Sequence, residues 1–178
     1  MVKIYTRFGD HGETRRYDGK TVKKNDPIIE LNGIIDECNS IIGIARSFNK
    51  DNNLEKILKK IQSKLFTAGS EISSFNSPSK ITIKYEDILQ IEKIIDNIDS
   101  KLDKLKNFIL PSGNLLSSHL HLARSTCRKV ERSLVKIDFD QNKKNYLIPY
   151  FNRLSDLFFV LARYANKINN NSDEIWNN

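Results

Sequence analysis

The residues of this chain best suited to chemistry are cations and amides on helical faces, with no nucleophile and base paired among them. In "HLHLARSTCRKVER", His121, Arg124, Arg128 and Glu131 follow one another at three- and four-residue steps, so on a helix they share one face. Arg124 and Arg128 at i,i+4 repel each other unless something negative lies between or above them. Two readings stand side by side: a solvated face locally balanced by Glu131, and an anion site on a rigid helix. A second stretch, "YFNRLSDLFFVLAR", sets Asn152, Arg153, Ser155 and Asp156 inside an apolar run. Arg153 and Asp156 at i,i+3 can neutralise each other. Asn152 is a poor helix former whose amide both donates and accepts. In "IIDECNSIIG", Asp36 and Asn39 again sit beside an apolar seam. Structural pairing explains any one of these, but its recurrence on separate helices points to a shared polar site.

The amino-terminal stretch "YTRFGDHGET" is foreign to a helical chain. Its glycines permit tight turns whose amides can face phosphate oxygens, and Thr6, Thr14, Arg15 and Lys24 add donors. "DGKT", Asp18 to Thr21, resembles the end of a P-loop, but Gly12 and Gly19 stand too far apart for the G-x-x-x-x-G-K-[ST] spacing and "VKKNDP" follows where a helix should. A P-loop triphosphatase is therefore excluded. Ser-His-Asp, Cys-His and paired-carboxylate arrangements are absent. His11, His119 and His121 are too few and too badly spaced for a metal cage.

The elements that must position these groups are helices. Five segments carry alternating three- and four-residue apolar spacing: Leu31 to Ala45, Leu54 to Ile72, Ile88 to Leu102, Leu116 to Ile137 and Phe151 to Ile168. Such stripes bury one face of each helix and predict an all-α, five-helix bundle behind an irregular glycine-containing loop. Asp26-Pro27 reads as an N-cap with proline at N1, and Asp51 and Thr82 are expected to cap the next two helices. "NSPSK" and "LPSGN" break the pattern, Pro149 opens or kinks the last helix, and the polar tail over 170–178 is expected to fray.

The 178 residues are read as one domain, with residues 1–25 forming the loop. Cys38 and Cys127, both within apolar stripes, read as buried free thiols. No signal peptide and no membrane-length apolar run is visible, which predicts a cytoplasmic protein. The net charge of +7 invites an anionic partner. A basic helical nucleic-acid binder lacks a recognisable module. A non-catalytic adaptor leaves the glycine loop and the arginine pair unexplained. A di-iron carboxylate bundle fails for want of a Glu-x-x-His pair.

"YTRFGDHGET", "KKNDPIIELNGIIDECNSIIG", "FILPSG", "LHLARSTCRKVER" and "FNRLSD" occur in the order found in PduO-type ATP:cob(I)alamin adenosyltransferases, and the chain resembles that family from Lys3 to Asn166. The resemblance implies a homotrimer with active sites between subunits, in which cobalt(I) of a reduced corrinoid attacks the 5′ carbon of ATP to give adenosylcobalamin and triphosphate. By matching position, Thr6, Arg7, Phe8, Gly9, Thr14, Arg15 and Lys24 resemble the triphosphate grip. Arg128, Glu131, Arg132 and Asn152 resemble the remaining ATP contacts, with Arg128 and Phe108 in catalytic roles. Asp36 and Arg124 resemble an inter-subunit salt bridge, and Phe108 the aromatic that closes the lower corrin face. Mg2+ is expected on the ATP phosphates and not on protein ligands. A reductase and an adenosylcobalamin-dependent acceptor enzyme are implied partners; nucleic acid and membrane are not. Departures are Asn25 for the usual Asp, Ile28 for Arg, Ser112 for a second glycine, and Lys129-Val130 for Arg-Ala. None removes an implied ligand.

Overall fold

A computed structural model describes residues 3–74, 81–137 and 146–177. A small antiparallel hairpin, β1 (Glu13–Arg15) and β2 (Thr21–Lys23), precedes five helices: α1 (Pro27–Ser47), α2 (Asn52–Ser73), α3 (Tyr85–Asp99), α4 (Leu115–Ile137) and α5 (Leu147–Ile168). α4 is the centre of the packing, lying against α1 and α5, while α2 packs on α1 and α3 on α5. The seam residues form one core. Leu31, Cys38, Ile42, Leu58, Leu65, Leu120, Cys127, Leu134, Phe151, Phe158 and Leu161 are all wholly buried. That burial is the main stabilising term, about 1.5–3 kcal/mol for each large side chain.

The caps explain where the helices start. Asp26 accepts a hydrogen bond from Ile28 N at 2.8 Å ahead of Pro27, and Asp51 accepts from Leu54 N at 2.7 Å. Thr82 does not cap α3. The Ile83 amide donates to Glu71 Oε2 at 2.7 Å and the Ile83 side chain is buried, so this segment stays extended. The helix then begins at Tyr85, where the Lys84 amide donates to Asp87 Oδ2 at 3.0 Å. Leu102 continues the apolar spacing beyond the end of α3 and still packs on the core. Pro149 lies in the first turn of α5, where its missing N–H has no helical partner to lose. The "NSPSK" turn, Asn76 to Lys80, lies outside the described residues.

The two thiols are free and buried. Cys127 Sγ donates to the Phe151 carbonyl at 3.2 Å and Cys38 Sγ to the Ala123 carbonyl at 3.8 Å. Burial, with Glu37 nearby, pushes the Cys38 thiol up to about 12, and burial also raises that of Cys127. Both are packing groups, inert as nucleophiles at neutral pH.

The tail departs from the expectation of fraying. Ile175 forms a β-bridge with Ile109, the Leu110 amide donates to the Glu174 carbonyl at 2.8 Å, and the Trp176 amide donates to the Phe108 carbonyl at 2.9 Å. What holds it is α5. Arg163, only 5% exposed, donates through Nε to Asp173 Oδ2 at 2.7 Å and through Nη2 to the Asp103 carbonyl at 2.7 Å. A buried guanidinium needs such partners, and the tail supplies one of them.

Candidate active site

The site has an aromatic cavity and a set of cations. The segment after α3 is carried back across the end of the bundle by the "LPSGN" turn. There Gly113 adopts φ 119°, in the left-handed region, and a Cβ added to it would lie 2.0 Å from Asn166 Oδ1. Asn166 is buried under this turn. Its Oδ1 accepts from the Asn114 amide, and its Nδ2 donates to the Ser112 carbonyl and to Asp173 Oδ1. Asn114 in turn caps α4, accepting from Ser117 N at 2.9 Å. Turn, tail and helix start are thus fixed as a unit.

On that unit Phe108 stands 79% exposed. A core phenylalanine would be buried, so the packing explanation of this residue fails. Its only ring neighbour among the described residues is Trp176, edge-on with centroids 6.3 Å apart. Together they border a cavity of about 900 Å³ lined also by Ile109, Pro111, His121, Arg124 and Phe159. His121 is 4% exposed and packs edge-on against Phe159 at 6.2 Å, yet neither of its ring nitrogens has a hydrogen-bond partner. Arg124 Nε is likewise buried and unpaired. Burial, with a contribution from Arg128, lowers the Arg124 pKa from its ordinary value.

Burial, helped by the charge of Arg124 and opposed by Asp173, pulls the His121 pKa from 6.5 down to about 4. The fold therefore favours the neutral ring. Below pH 6.5 the unfolded chain takes up a proton that the folded chain refuses until about pH 4. Stability is accordingly expected to fall as pH drops through that window, by up to ~3 kcal/mol from this group. Urea titrations at a series of pH values check this: His121→Leu should flatten that part of the profile, and an unchanged profile would assign the slope to other groups.

The remaining site residues lie on α4, α5 and the loop. Glu131 Oε1 accepts from Asn152 Nδ2 at 3.0 Å, so these two predicted residues meet. Arg153 is neutralised by Glu92 and Asp156, each at 3.0 Å. Arg128 and Arg132 are exposed one turn apart and have no ion pair or hydrogen bond among the described residues. The loop folds on itself. Phe8–His11 forms a short 3-10 turn entered by Arg7 at φ 61° and left by Gly12 at φ 81°. Thr14 pairs with Val22 in the hairpin. The Lys24 amide donates to the Gly12 carbonyl at 2.8 Å, and Lys24 Nζ lies 3.0 Å from where a Gly9 side chain would begin. Arg15 lies over the Phe8 ring at 5.3 Å, and Thr6 Oγ1 accepts from the Phe8 amide at 3.4 Å. Gly9 thus lets the lysine fold over the turn, concentrating positive charge beside backbone amides.

Asp36 and Arg124 form no ion pair within this chain among the described residues, and Asp36 is exposed on α1. Of the departures, Ile28 is buried in the core, and Lys129 reaches Glu37 at 3.6 Å. Sequence reasoning missed Trp176 and Phe159 as cavity residues and gave His121 no role. The available signal was a lone tryptophan in an otherwise polar tail, two residues beyond an acidic pair. Among the described residues no group of three or more His, Cys, Asp or Glu could hold a metal ion, and no helix is long and apolar enough to cross a membrane.

The bundle thus carries a cationic glycine loop at its amino end and an aromatic cavity beside an arginine-bearing helix. The chain belongs to the cobalamin adenosyltransferase family, whose pattern it matches over residues 4–165. It is similar to the corrinoid adenosyltransferase PduO of Salmonella typhimurium, 37% identical over 165 residues that cover 91% of this chain and 49% of that protein. It is equally similar to the corrinoid adenosyltransferase MMAB of Homo sapiens, 37% identical over 99% of this chain and 74% of that protein. The chain therefore spans about half the length of the Salmonella relative. Among solved structures, a variant PduO-type ATP:corrinoid adenosyltransferase from Lactobacillus reuteri complexed with cobalamin and ATP superimposes with a TM-score of 0.90 at 34% identity. The match covers 99% of this chain and 97% of that one.

Proposed function

We propose that this chain transfers the 5′-deoxyadenosyl group of ATP to the cobalt of a reduced corrinoid, releasing triphosphate. The observation that carries the reading is the coexistence, in a member of this family, of two cations without partners among the described residues, Arg128 and Arg132, with an exposed Phe108 at the border of a cavity of about 900 Å³. The cobalt(I) lone pair forms the cobalt–carbon bond as the bond from C5′ to the triphosphate oxygen breaks, and that oxygen keeps the electron pair. No proton moves, so a general base has nothing to do. The protein must align nucleophile and carbon and stabilise charge on the departing triphosphate. Lys24, Arg15, Arg128, Arg132 and the backbone amides of Arg7 to Gly9 fill the second role. Thr6 and Thr14 add hydroxyl contacts, and Glu131 with Asn152 orients the nucleoside. Mg2+ would be carried on phosphate oxygens, a reading that fits the lack of a carboxylate cage among the described residues.

Two features support a homotrimer with the site between chains: the buried Arg124 Nε and the exposed Asp36, neither with a partner among the described residues. A monodisperse monomer in sedimentation at micromolar concentration would overturn this. The chain works in the cytoplasm, with a reductase supplying cobalt(I) and an adenosylcobalamin-dependent enzyme taking the product. The direct test is anaerobic mixing with ATP and chemically reduced cobalamin, following the visible spectrum for the cobalt–carbon product. Absence of that product with fully reduced cobalamin would refute the reading.

Lys24→Ala and Arg128→Ala are each expected to weaken ATP binding or turnover about ten- to a hundred-fold, since a charge-assisted phosphate contact contributes roughly 1.5–3 kcal/mol. Calorimetric titration with ATP checks this, and wild-type affinity and rate in both variants would remove these residues from the phosphate site. Duplex DNA should bind only weakly and lose affinity steeply with salt.

A further inference from the structure

Phe108 owes its place to the tail. Residues 103–112 form no helix, and among the described residues their only backbone–backbone hydrogen bonds run to the tail. The Leu110 amide donates to the Glu174 carbonyl at 2.8 Å and the Trp176 amide to the Phe108 carbonyl at 2.9 Å, on either side of the Ile109–Ile175 bridge. The tail is itself fixed at Asp173, whose carboxylate accepts from Arg163 Nε and Asn166 Nδ2 on α5. The last helix thus reaches the Phe108 segment through a short strap. That strap lies beyond residues 4–165, which the family pattern spans, so its part in the site rests on geometry alone.

The strap delivers one large side chain. Trp176 meets Phe108 edge-on, the ring planes 68° apart and the centroids 6.3 Å apart. In this arrangement the positive edge of one ring faces the negative face of the other. The indole is 47% exposed and borders the same cavity. Phe108 has no other ring beside it among the described residues and is itself largely exposed. Without the indole its side chain would be free to turn between rotamers. An apolar ring that must lie under a flat ligand binds better when it is held before the ligand arrives, because the cost of ordering it then falls on folding and not on binding.

Resting on the adenosyl-transfer reading above, we propose that Trp176 is a positioning residue. Carried on the tail, it holds the Phe108 ring in the orientation that closes the lower face of the corrin and keeps the displaced ligand from returning. It acts through Phe108 and takes no part in bond making.

The test uses the full chain with ATP and cobalamin, and reads the base-off cobalt(II)alamin signature together with turnover. Trp176→Ala is expected to lower both by about two- to ten-fold, the range that an aromatic pair contributes. ATP affinity and melting temperature should stay close to wild type. Trp176→Phe, which keeps an aromatic edge, should restore most of the loss. In a Phe108→Ala background, Trp176→Ala should change turnover by less than about two-fold, because the ring it holds is gone. A wild-type signature and turnover in Trp176→Ala would overturn the inference. So would a fully multiplicative loss in the double variant, which would make Trp176 independent of Phe108. A loss accompanied by weaker ATP binding and early melting would also overturn it, by making Trp176 a structural residue of the tail. A wild-type chain that forms neither the signature nor the cobalt–carbon product would instead refute the adenosyl-transfer reading, and this inference with it.

Discussion

Phe108→Ala is expected to suppress corrinoid chemistry by about ten- to a hundred-fold while leaving ATP affinity and thermal stability near wild type. The ring is 79% exposed in the isolated chain, so truncating it removes little that the fold depends on. A buried phenylalanine would by contrast be worth ~3–5 kcal/mol of stability. Against a corrin face the same ring would bury most of its apolar surface, worth about 1.5–3 kcal/mol, and exclude water from the cobalt axis. Reduction of cobalt(II) becomes easier once its lower ligand has gone, and an apolar ring in that position prevents the ligand's return. Two measurements check the expectation: the spectral signature of base-off cobalt(II)alamin formed with ATP present, and the melting temperature. Early unfolding with the signature intact would mean that another residue lies under the corrin.

Gly113→Ala should be the more damaging change to the protein itself. At φ 119° an L side chain is strained, and its Cβ would lie 2.0 Å from Asn166 Oδ1. Asn166 cannot swing away without giving up its hydrogen bonds to Asn114, Ser112 and Asp173. Backbone strain and overpacking contribute about 1–3 kcal/mol each, so a loss of roughly 10 °C in melting temperature is expected for a chain of this length. Corrinoid binding should fail with it, because the turn carries Phe108. Adding Asn166→Ala to the variant removes the collision and leaves the strain. Partial recovery in the double variant would separate the two, and a Gly113→Ala protein as stable as wild type would show that the turn adapts.

The helices were legible because each carries an apolar stripe with three- and four-residue spacing, which has one physical meaning, even in α5, where burial extends around most of the helix. The Asp26 and Asp51 caps were legible for the same local reason, a short acceptor next to orphan amides. Thr82 misled because its choice between capping and extension is decided by Glu71, which reaches the Ile83 amide from another helix. The tail was opaque on similar grounds. Nothing in "NNSDEIWNN" shows that Asp173 meets a guanidinium buried on α5, or that Ile175 bridges Ile109. Phe108 could not be told from a core residue by type or spacing, and only its exposure separates the two. Glu131 and Asn152 were the reverse case: two polar residues flanking neighbouring seams, and they meet at 3.0 Å.

The tail's pairing beside Phe108 places the chain's single tryptophan at the border of the cavity. The protein thereby carries a built-in optical reporter. Indole emission excited at its red edge arises from one position, Trp176, and corrinoids absorb strongly where indole emits. A corrinoid entering the cavity should quench that light by energy transfer, whereas ATP, which is colourless there, should leave it nearly unchanged. Occupancy of the two substrates can then be followed separately on an unlabelled chain, in stopped flow and under the anaerobic conditions that cobalt(I) requires.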